Sequence, residues 1–381
     1  MSTAMNLNAA MDSDSRGVWT APGRVNLIGE HTDYNRGLVL PFAINRRATC
    51  DARLRNDHKV RVSSTFASEP VEISLDEVAH GEFSGWSAYA LGVAWALLES
   101  ATDPAGVDIV IDSAVPVGAG LSSSAAIECA VAVALNDLWG SGLAPMALAL
   151  ACQRAENVAV GAPTGIMDQV ASLHGREDHV VALDCDSLAI SVLPLGLARS
   201  GVDVMVMDSG IKHAHATGGY TDRREACERG AKTLGVASLR EITPADLSRA
   251  KSLLDDSTFR RVRHVVTENE RVAAATAALA GAGPDALAVV GDLMNSSHDS
   301  MRDDFEISVP EIDVAVEAAR GAGALGARLT GGGFGGAAVA LVPHDRWDDV
   351  AAAVTDATDR RSFTRPTIFE VRPDDGARRE S

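Results

Sequence analysis

A chain of 381 residues, 46% of them hydrophobic, has material for two or three cores, and its formal charge of −18 argues against nucleic acid or an anionic membrane surface as the main partner. No apolar run reaches the roughly 18–20 residues that span a bilayer. Five scattered cysteines without CxxC spacing suit reduced, buried thiols, and no basic-then-apolar leader precedes Asp14, so a cytoplasmic protein is expected.

Residues 1–14 read as a loose tail. From Trp19 to Ala52 short apolar pieces are broken by Gly and Asn, which predicts a strand, a loop and a second strand over 38–44. Residues 46–64 read as two more strands around Arg55-Asn56-Asp57-His58. A helix is predicted over 86–100, with Tyr89, Val93, Ala96 and Leu97 on one face. An alternating segment, Val107 to Ile111, then feeds Val115-Pro116-Val117-Gly118-Ala119-Gly120-Leu121-Ser122-Ser123-Ser124-Ala125-Ala126, and a mostly apolar run continues to Trp139. The pattern is strand, loop, helix. Its glycines allow positive φ and close approach of a ligand. Its serines can cap free N–H groups at the helix start, and such a helix end attracts anions. Taken alone, the stretch fits a capped helix as well as a phosphate loop.

Further along, a helix is predicted over 145–157, a tight loop over 161–165 and a new element from Ile166. A boundary falls near 183–201, followed by a buried strand over 202–207. Helices are predicted over 223–234, 260–279, 287–300 and 310–321, the last with Pro310 near its first turn. A glycine cluster at 331–336 precedes a strand over 337–342. The polar segment 372–381 is expected to fray.

Three glycine-rich polar stretches thus interrupt the apolar scaffold. None carries the Gly-Lys-Ser/Thr of a Walker A loop, and none is a GxGxxG after a first strand. Residues 21–35, from Ala21-Pro22-Gly23-Arg24 to Asp33-Tyr34-Asn35, residues 115–126 and residues 330–336 nevertheless occur in a telling order. With Met167-Asp168-Gln169 and Tyr220-x-x-Arg223-Arg224-x-x-Cys227, they resemble the GHMP small-molecule kinases, and among these the galactokinases, from about residue 19 to 342.

The resemblance implies an α+β, two-domain GHMP kinase fold. Residues 15–190 would form an N-terminal domain like the second domain of ribosomal protein S5, residues 191–372 a ferredoxin-like C-terminal domain, and the site would lie between them. The implied activity is ATP-dependent phosphorylation of the anomeric hydroxyl of D-galactose. Such a transfer is mainly positioning plus charge stabilisation. Gly118, Ala119, Gly120, Leu121, Ser122, Ser123 and Ser124 would cradle the phosphates of ATP, with Ser64 a further nucleotide contact. Ser124 and Glu156 would hold Mg²⁺, which takes few protein oxygens beside phosphates and water. Asp168 would take or orient the acceptor proton, with Arg24 beside it stabilising the moving charge. Glu30, His31, Thr32, Asp33, Asp168 and Tyr220 would bind the sugar, and groups left unpaired by a wrong epimer would discriminate strongly. Galactose and MgATP are the implied partners of a monomer, without nucleic acid or membrane.

Without the resemblance, Glu156 reads as a solvated helix residue, Asp168 as a helix cap, His31 as a loop histidine and Tyr220 as a packing aromatic. His213-x-His215 lacks a third ligand and makes a poor zinc site. Three positions depart from the family pattern: Arg36 stands where a glycine is expected, Gly218-Gly219 precede Tyr220 in place of a small residue and an acid, and Phe305 replaces a common Tyr. Rival readings are a kinase for N-acetylgalactosamine, arabinose or galacturonate, a sensor that binds sugar and ATP without turnover, and an S5-like nucleic-acid module that the charge disfavours.

Overall fold

The chain first builds strands, β1 (Arg16–Asn26), the short β2 (Leu38–Val39), β3 (Pro41–Arg55), β4 (Lys59–Ser64) and β5 (Val71–Ser74). Helices α1 (Leu75–His80) and α2 (Ala88–Leu98) lead to β6 (Gly106–Ser113), and α3 (Ser123–Leu138) follows the phosphate-loop stretch. Then come α4 (Pro145–Arg154), a π-helical turn (Ala155–Val160), α5 (Met167–His174), β7 (His179–Asp184), β8 (Ala189–Pro194), α6 (Leu197–Ser200) and β9 (Val202–Lys212). The second half adds α7 (Ala216–Leu234), α8 (Leu247–Leu253), α9 (Asp256–Ala280), α10 (Ala286–Ser300), α11 (Pro310–Gly321), β10 (Gly326–Thr330), β11 (Gly335–Pro343), α12 (Trp347–Arg360), β12 (Thr367–Val371) and β13 (Arg378–Arg379). This is a computed structural model, and it describes residues 15–212 and 216–381. The expected N-terminal tail and the His213-x-His215 pair lie outside the described residues.

Among the described residues three sheets result, in the orders β13-β1-β3-β6-β4-β5, β2-β7-β8 and β10-β11-β9-β12. The fold is α+β, with helices laid on the sheets. Trp19 of β1 is fully buried, and its indole N–H donates to Asp137 of α3 at 2.7 Å. Burial of such a side chain contributes about 3 kcal/mol, and here it fixes the phosphate-loop helix against the strand that carries Arg24. One apolar cluster unites the halves, joining Val25, Leu27, Phe42, Val115 and Leu121 to Val204, Val206, Val339 and Leu341. The site described below sits at this seam. No described helix is long and apolar enough to cross a membrane.

Several predicted boundaries change. The strand over 38–44 and its successor are one strand, β3, after the two-residue β2; the polar Asn45-Arg46-Arg47 sits at a register shift against β1 and does not end the strand. The helix over 145–157 is regular only to Arg154, then widens into the π-helical turn that carries Glu156. The expected fraying of 372–381 is overturned. Arg378 and Arg379 pair with Thr20 and Trp19, and Arg47 donates to the carbonyls of Asp375 and Gly376, each at 2.7 Å. A polar composition had suggested solvent, but these backbone groups are claimed by a guanidinium with several fixed donors.

Candidate active site

β1 delivers Arg24. Its register against β3 shifts between Pro22 and Arg24, where β3 carries the extra residues 44–46. Arg24 is 5% exposed; Nε donates to Asp168 Oδ1 at 2.8 Å and Nη2 to Oδ2 at 2.9 Å, while Nη1 reaches the Gly120 carbonyl at 2.5 Å. The two-pronged pairing fixes both planes, as a single contact would not. Asp168 lies in the first turn of α5, where the helix dipole favours an acid.

The hydroxyl of Ser122 also donates to Asp168 Oδ2. Ser122 flanks α3 in the left-handed conformation, φ 57° and ψ 52°, and makes no capping hydrogen bond. The expected cap is therefore corrected at this position, because the hydroxyl is spent on the carboxylate. The two glycine-rich loops touch behind it. A Cβ on Gly120 would lie 2.9 Å from the Thr330 carbonyl, and one on Gly331 2.9 Å from the Gly120 carbonyl, with both residues at positive φ. Only glycines permit that approach.

Glu156 is 5% exposed, and its Oε2 accepts from Thr164 Oγ1 at 2.7 Å and Gln169 Nε2 at 2.8 Å. The Ser124 hydroxyl lies near enough to favour its charged form. Burial pushes its carboxyl up and the Asp168 charge adds to that, against the donors from Thr164, Ser124 and Gln169. The same Gln169 nitrogen donates to the buried Glu128 at 3.1 Å.

The loop after β1 carries the expected sugar residues. Glu30 Oε2 accepts from Asn26 and from Arg328 Nη2 at 2.9 Å, and Oε1 accepts from the Gly331 N–H at 2.7 Å and Thr330 Oγ1 at 3.2 Å. Burial raises the Glu30 carboxyl, and the Arg328 charge opposes it. His31 stands at φ 61°, with Nε2 3.2 Å from the Gly332 carbonyl and Nδ1 2.7 Å from the Tyr34 hydroxyl. A carbonyl only accepts, so Nε2 carries the proton and Nδ1 takes the tyrosine hydrogen. Burial holds the imidazole down to about 3, hence neutral near pH 7. Its ring lies 5.1 Å from that of Tyr220 and 4.7 Å from that of Phe305. Thr32 is buried, with Oγ1 within 2.8 Å of the Gly29 carbonyl and 2.7 Å of the Leu38 carbonyl, so it staples the loop.

Burial, then the charge of Asp168, pushes the Asp33 carboxyl up to about 6. An acid raised in this way favours the folded state while protonated. Its contribution is complete below about pH 4 and is lost as pH rises through 6. Asp33→Asn is therefore expected to raise the melting temperature of the ligand-free protein at pH 8 and not at pH 4. The gain is about 1 kcal/mol, because Asp33 keeps partial contact with solvent. Thermal unfolding at the two pH values checks it; equal shifts at both would contradict it.

Arg24, Glu30, His31, Asp33, Asp168 and Tyr220 all border one cavity of about 310 Å³, together with Gly118, Gly120, Leu121, Ser122, Ser123 and Ser124. Ala119 and Thr32 are buried outside its lining, and Glu156 stands behind Thr164. Ser64 ends β4, where its hydroxyl accepts from the Phe66 N–H at 3.3 Å, away from the lining. Sequence reasoning gave no site role to Thr164 or Gly165, or to Met167 of the quoted Met167-Asp168-Gln169 stretch, which also line the cavity, nor to Arg328, which holds Glu30. Arg36, where a glycine was expected, takes the left-handed φ of 56° that glycine would adopt freely. Gly219 faces the ring of Phe334 so closely that a Cβ would approach it to 2.6 Å.

Comparison with known proteins matches the same segments. Residues 8–53 match the galactokinase galactose-binding signature, 88–176 the GHMP kinases N terminal domain and 285–359 the GHMP kinases C terminal model. A galactokinase of Streptomyces coelicolor is 47% identical over 96% of this chain and 95% of its own length. One from Mycobacterium tuberculosis is 43% identical over 94% of this chain and 97% of its own. The crystal structure of Lactococcus lactis galactokinase complexed with galactose superposes with a TM-score of 0.90 at 32% identity, covering 100% of both chains. With a signature loop, a phosphate loop and a glycine loop meeting at one cavity, and relatives matched along nearly their whole length, the chain belongs to the galactokinase family of GHMP kinases.

Proposed function

We propose that this cavity holds galactose beside ATP and transfers the terminal phosphoryl group to the anomeric hydroxyl, giving galactose 1-phosphate and ADP. One observation carries the reading: the Arg24–Asp168 fork stands where the phosphate loop meets the galactose-signature loop. The acceptor hydroxyl lies against Asp168, which orients it and receives its proton. Arg24 spans Asp168 and the Gly120 carbonyl, so its charge sits beside the moving phosphoryl group and steadies it there. The backbone from Gly118 to Ser123 faces the phosphates, at the N-terminus of α3. Asp33 and His31 hold the sugar hydroxyls, with Tyr220 forming one wall.

The residues present fit Mg²⁺. Ser124 would offer a hydroxyl and Glu156 a carboxylate oxygen, and Glu156 is a buried acid near Asp168 that a cation would stabilise. Among the described residues no group of three or more His, Cys, Asp or Glu is placed to hold a metal. When bound, it would supply positive charge to the phosphates. The reading takes the protein as a cytoplasmic monomer of two domains divided near residue 190.

ADP release across a sugar panel tests it, with the product identified by phosphorus NMR. Galactose is expected to give galactose 1-phosphate. If no sugar stimulates release, the kinase reading fails in favour of a sensor. If galactose is inert and another sugar reacts, only the acceptor assignment fails.

A further inference from the structure

We infer that a buried polar stripe on α9, formed by His264, Glu268 and Asn269, shapes the loop 29–38 and thereby sets the affinity for the sugar. The inference rests on the reading that Glu30, His31 and Asp33 hold the sugar.

His264 Nε2 donates to the Glu30 carbonyl at 3.1 Å, and its Nδ1 accepts from Ser300 Oγ at 2.9 Å. Glu268 Oε1 accepts from the Gly29 N–H at 2.9 Å and from Ser297 Oγ at 2.6 Å, while Oε2 pairs with Arg271 Nε at 2.7 Å. Asn269 Oδ1 accepts from the Leu38 N–H at 2.8 Å. Three side chains of one helix thus grip the loop backbone at both ends and at Glu30.

The partners are separated by 234, 239 and 231 residues, so no local turn chemistry accounts for them. His264 and Glu268 are fully buried and Asn269 is 8% exposed, yet none of the three lines the cavity. An apolar helix face would pack as well against the core and would leave the loop's N–H and carbonyl groups without partners. A buried group stripped of its partner costs about 1–3 kcal/mol, so the loop is held in one shape. Arg328 ties this layer to the sugar residues, since its Nη2 reaches Glu30 at 2.9 Å and approaches Glu268 to 3.7 Å. The three are positioning residues: they act on the sugar through the loop.

Steady-state kinetics of His264→Phe and Asn269→Ala test the inference. Phe keeps a ring on Phe305, 4.5 Å away, and removes the donor to Glu30. Each variant is expected to raise the galactose KM roughly ten-fold, the loss of one buried hydrogen bond, with kcat within about two-fold and the ATP KM unchanged. Val266→Ala, buried on the same helix in the apolar core, serves as the control. It lowers the melting temperature and leaves the galactose KM in place. If His264→Phe and Asn269→Ala behave like that control, or weaken both substrates alike, the stripe is merely structural and the inference falls. Asp33→Asn separates the premises. A raised galactose KM there with none in the stripe variants overturns the stripe alone, whereas an unchanged KM in Asp33→Asn overturns the sugar assignment and the stripe with it.

Discussion

Asp168→Asn will lower kcat by about 10³-fold or more if, as proposed, Asp168 takes the acceptor proton, while galactose and nucleotide continue to bind. The substitution is nearly isosteric, so the cavity keeps its shape. It replaces an acceptor with an amide, and that amide can receive from Arg24 on one side only. In the native site Asp168 accepts from two guanidinium nitrogens and from the Ser122 hydroxyl. With an NH₂ group at Oδ2, donor faces donor, and either the fork opens or the amide presents its nitrogen to the sugar. Both remove the acceptor for the anomeric proton. Rapid-quench measurement of galactose 1-phosphate, with calorimetry of galactose binding on the same preparation, checks the result. Full turnover would remove Asp168 from the mechanism; loss of binding together with turnover would make it a sugar ligand before anything else.

Gly165→Ala is the second large effect, and it arises from a single methyl group. A Cβ at this position would lie 1.8 Å from Asp33 Oδ2 and 2.2 Å from its Cγ. The φ of Gly165 is not in the left-handed region, so backbone strain plays no part. The side chain it strikes does not swing clear freely, because Asp33 Oδ1 is held by the Tyr34 N–H at 2.9 Å and the Met167 backbone N–H favours its charged form. The carboxylate must leave its position or the 161–165 loop must lift. The expected result is a galactose KM raised about 100-fold, or roughly 3 kcal/mol, together with a lower melting temperature. Asp33→Ala in the Gly165→Ala background should recover much of the stability and none of the sugar affinity, a coupling that a double-mutant cycle measures directly. Simple additivity of the two changes would rule out the collision.

What could be read from the sequence was what is written contiguously. Residues 21–35, 115–126 and 330–336 announce themselves by composition, and the structure draws all three to one cavity. The fold class followed from the family resemblance those segments carry. The unread parts share one physical cause, since their partners are far away in the chain. Ser122 looks like a helix cap until α5 brings Asp168 to it. His264 and Glu268 have the spacing of a solvated helix face, and nothing in that spacing reveals a loop more than 200 residues earlier taking both. Gly165 reads as a turn residue, whereas its missing side chain is the space that Asp33 fills. The π-helical turn at Glu156 escaped for another reason: its residues suit an ordinary helix, and the widening shows only in the backbone.

The pairing of β13 with β1 bears on how the protein is made. Trp19 and Thr20 lie in the strand that delivers Arg24, yet their outer partners are Arg379 and Arg378. Val18 likewise waits for the backbone of Glu380 and Ser381. Until residues 378–381 are made, this stretch of β1 is an open hydrogen-bonding edge, and such edges recruit strands from neighbouring chains. A nascent chain that stops short of residue 378 has every segment of the cavity but not the strand that closes its largest sheet. Truncated products should therefore associate through β1 before they lose any residue that lines the cavity.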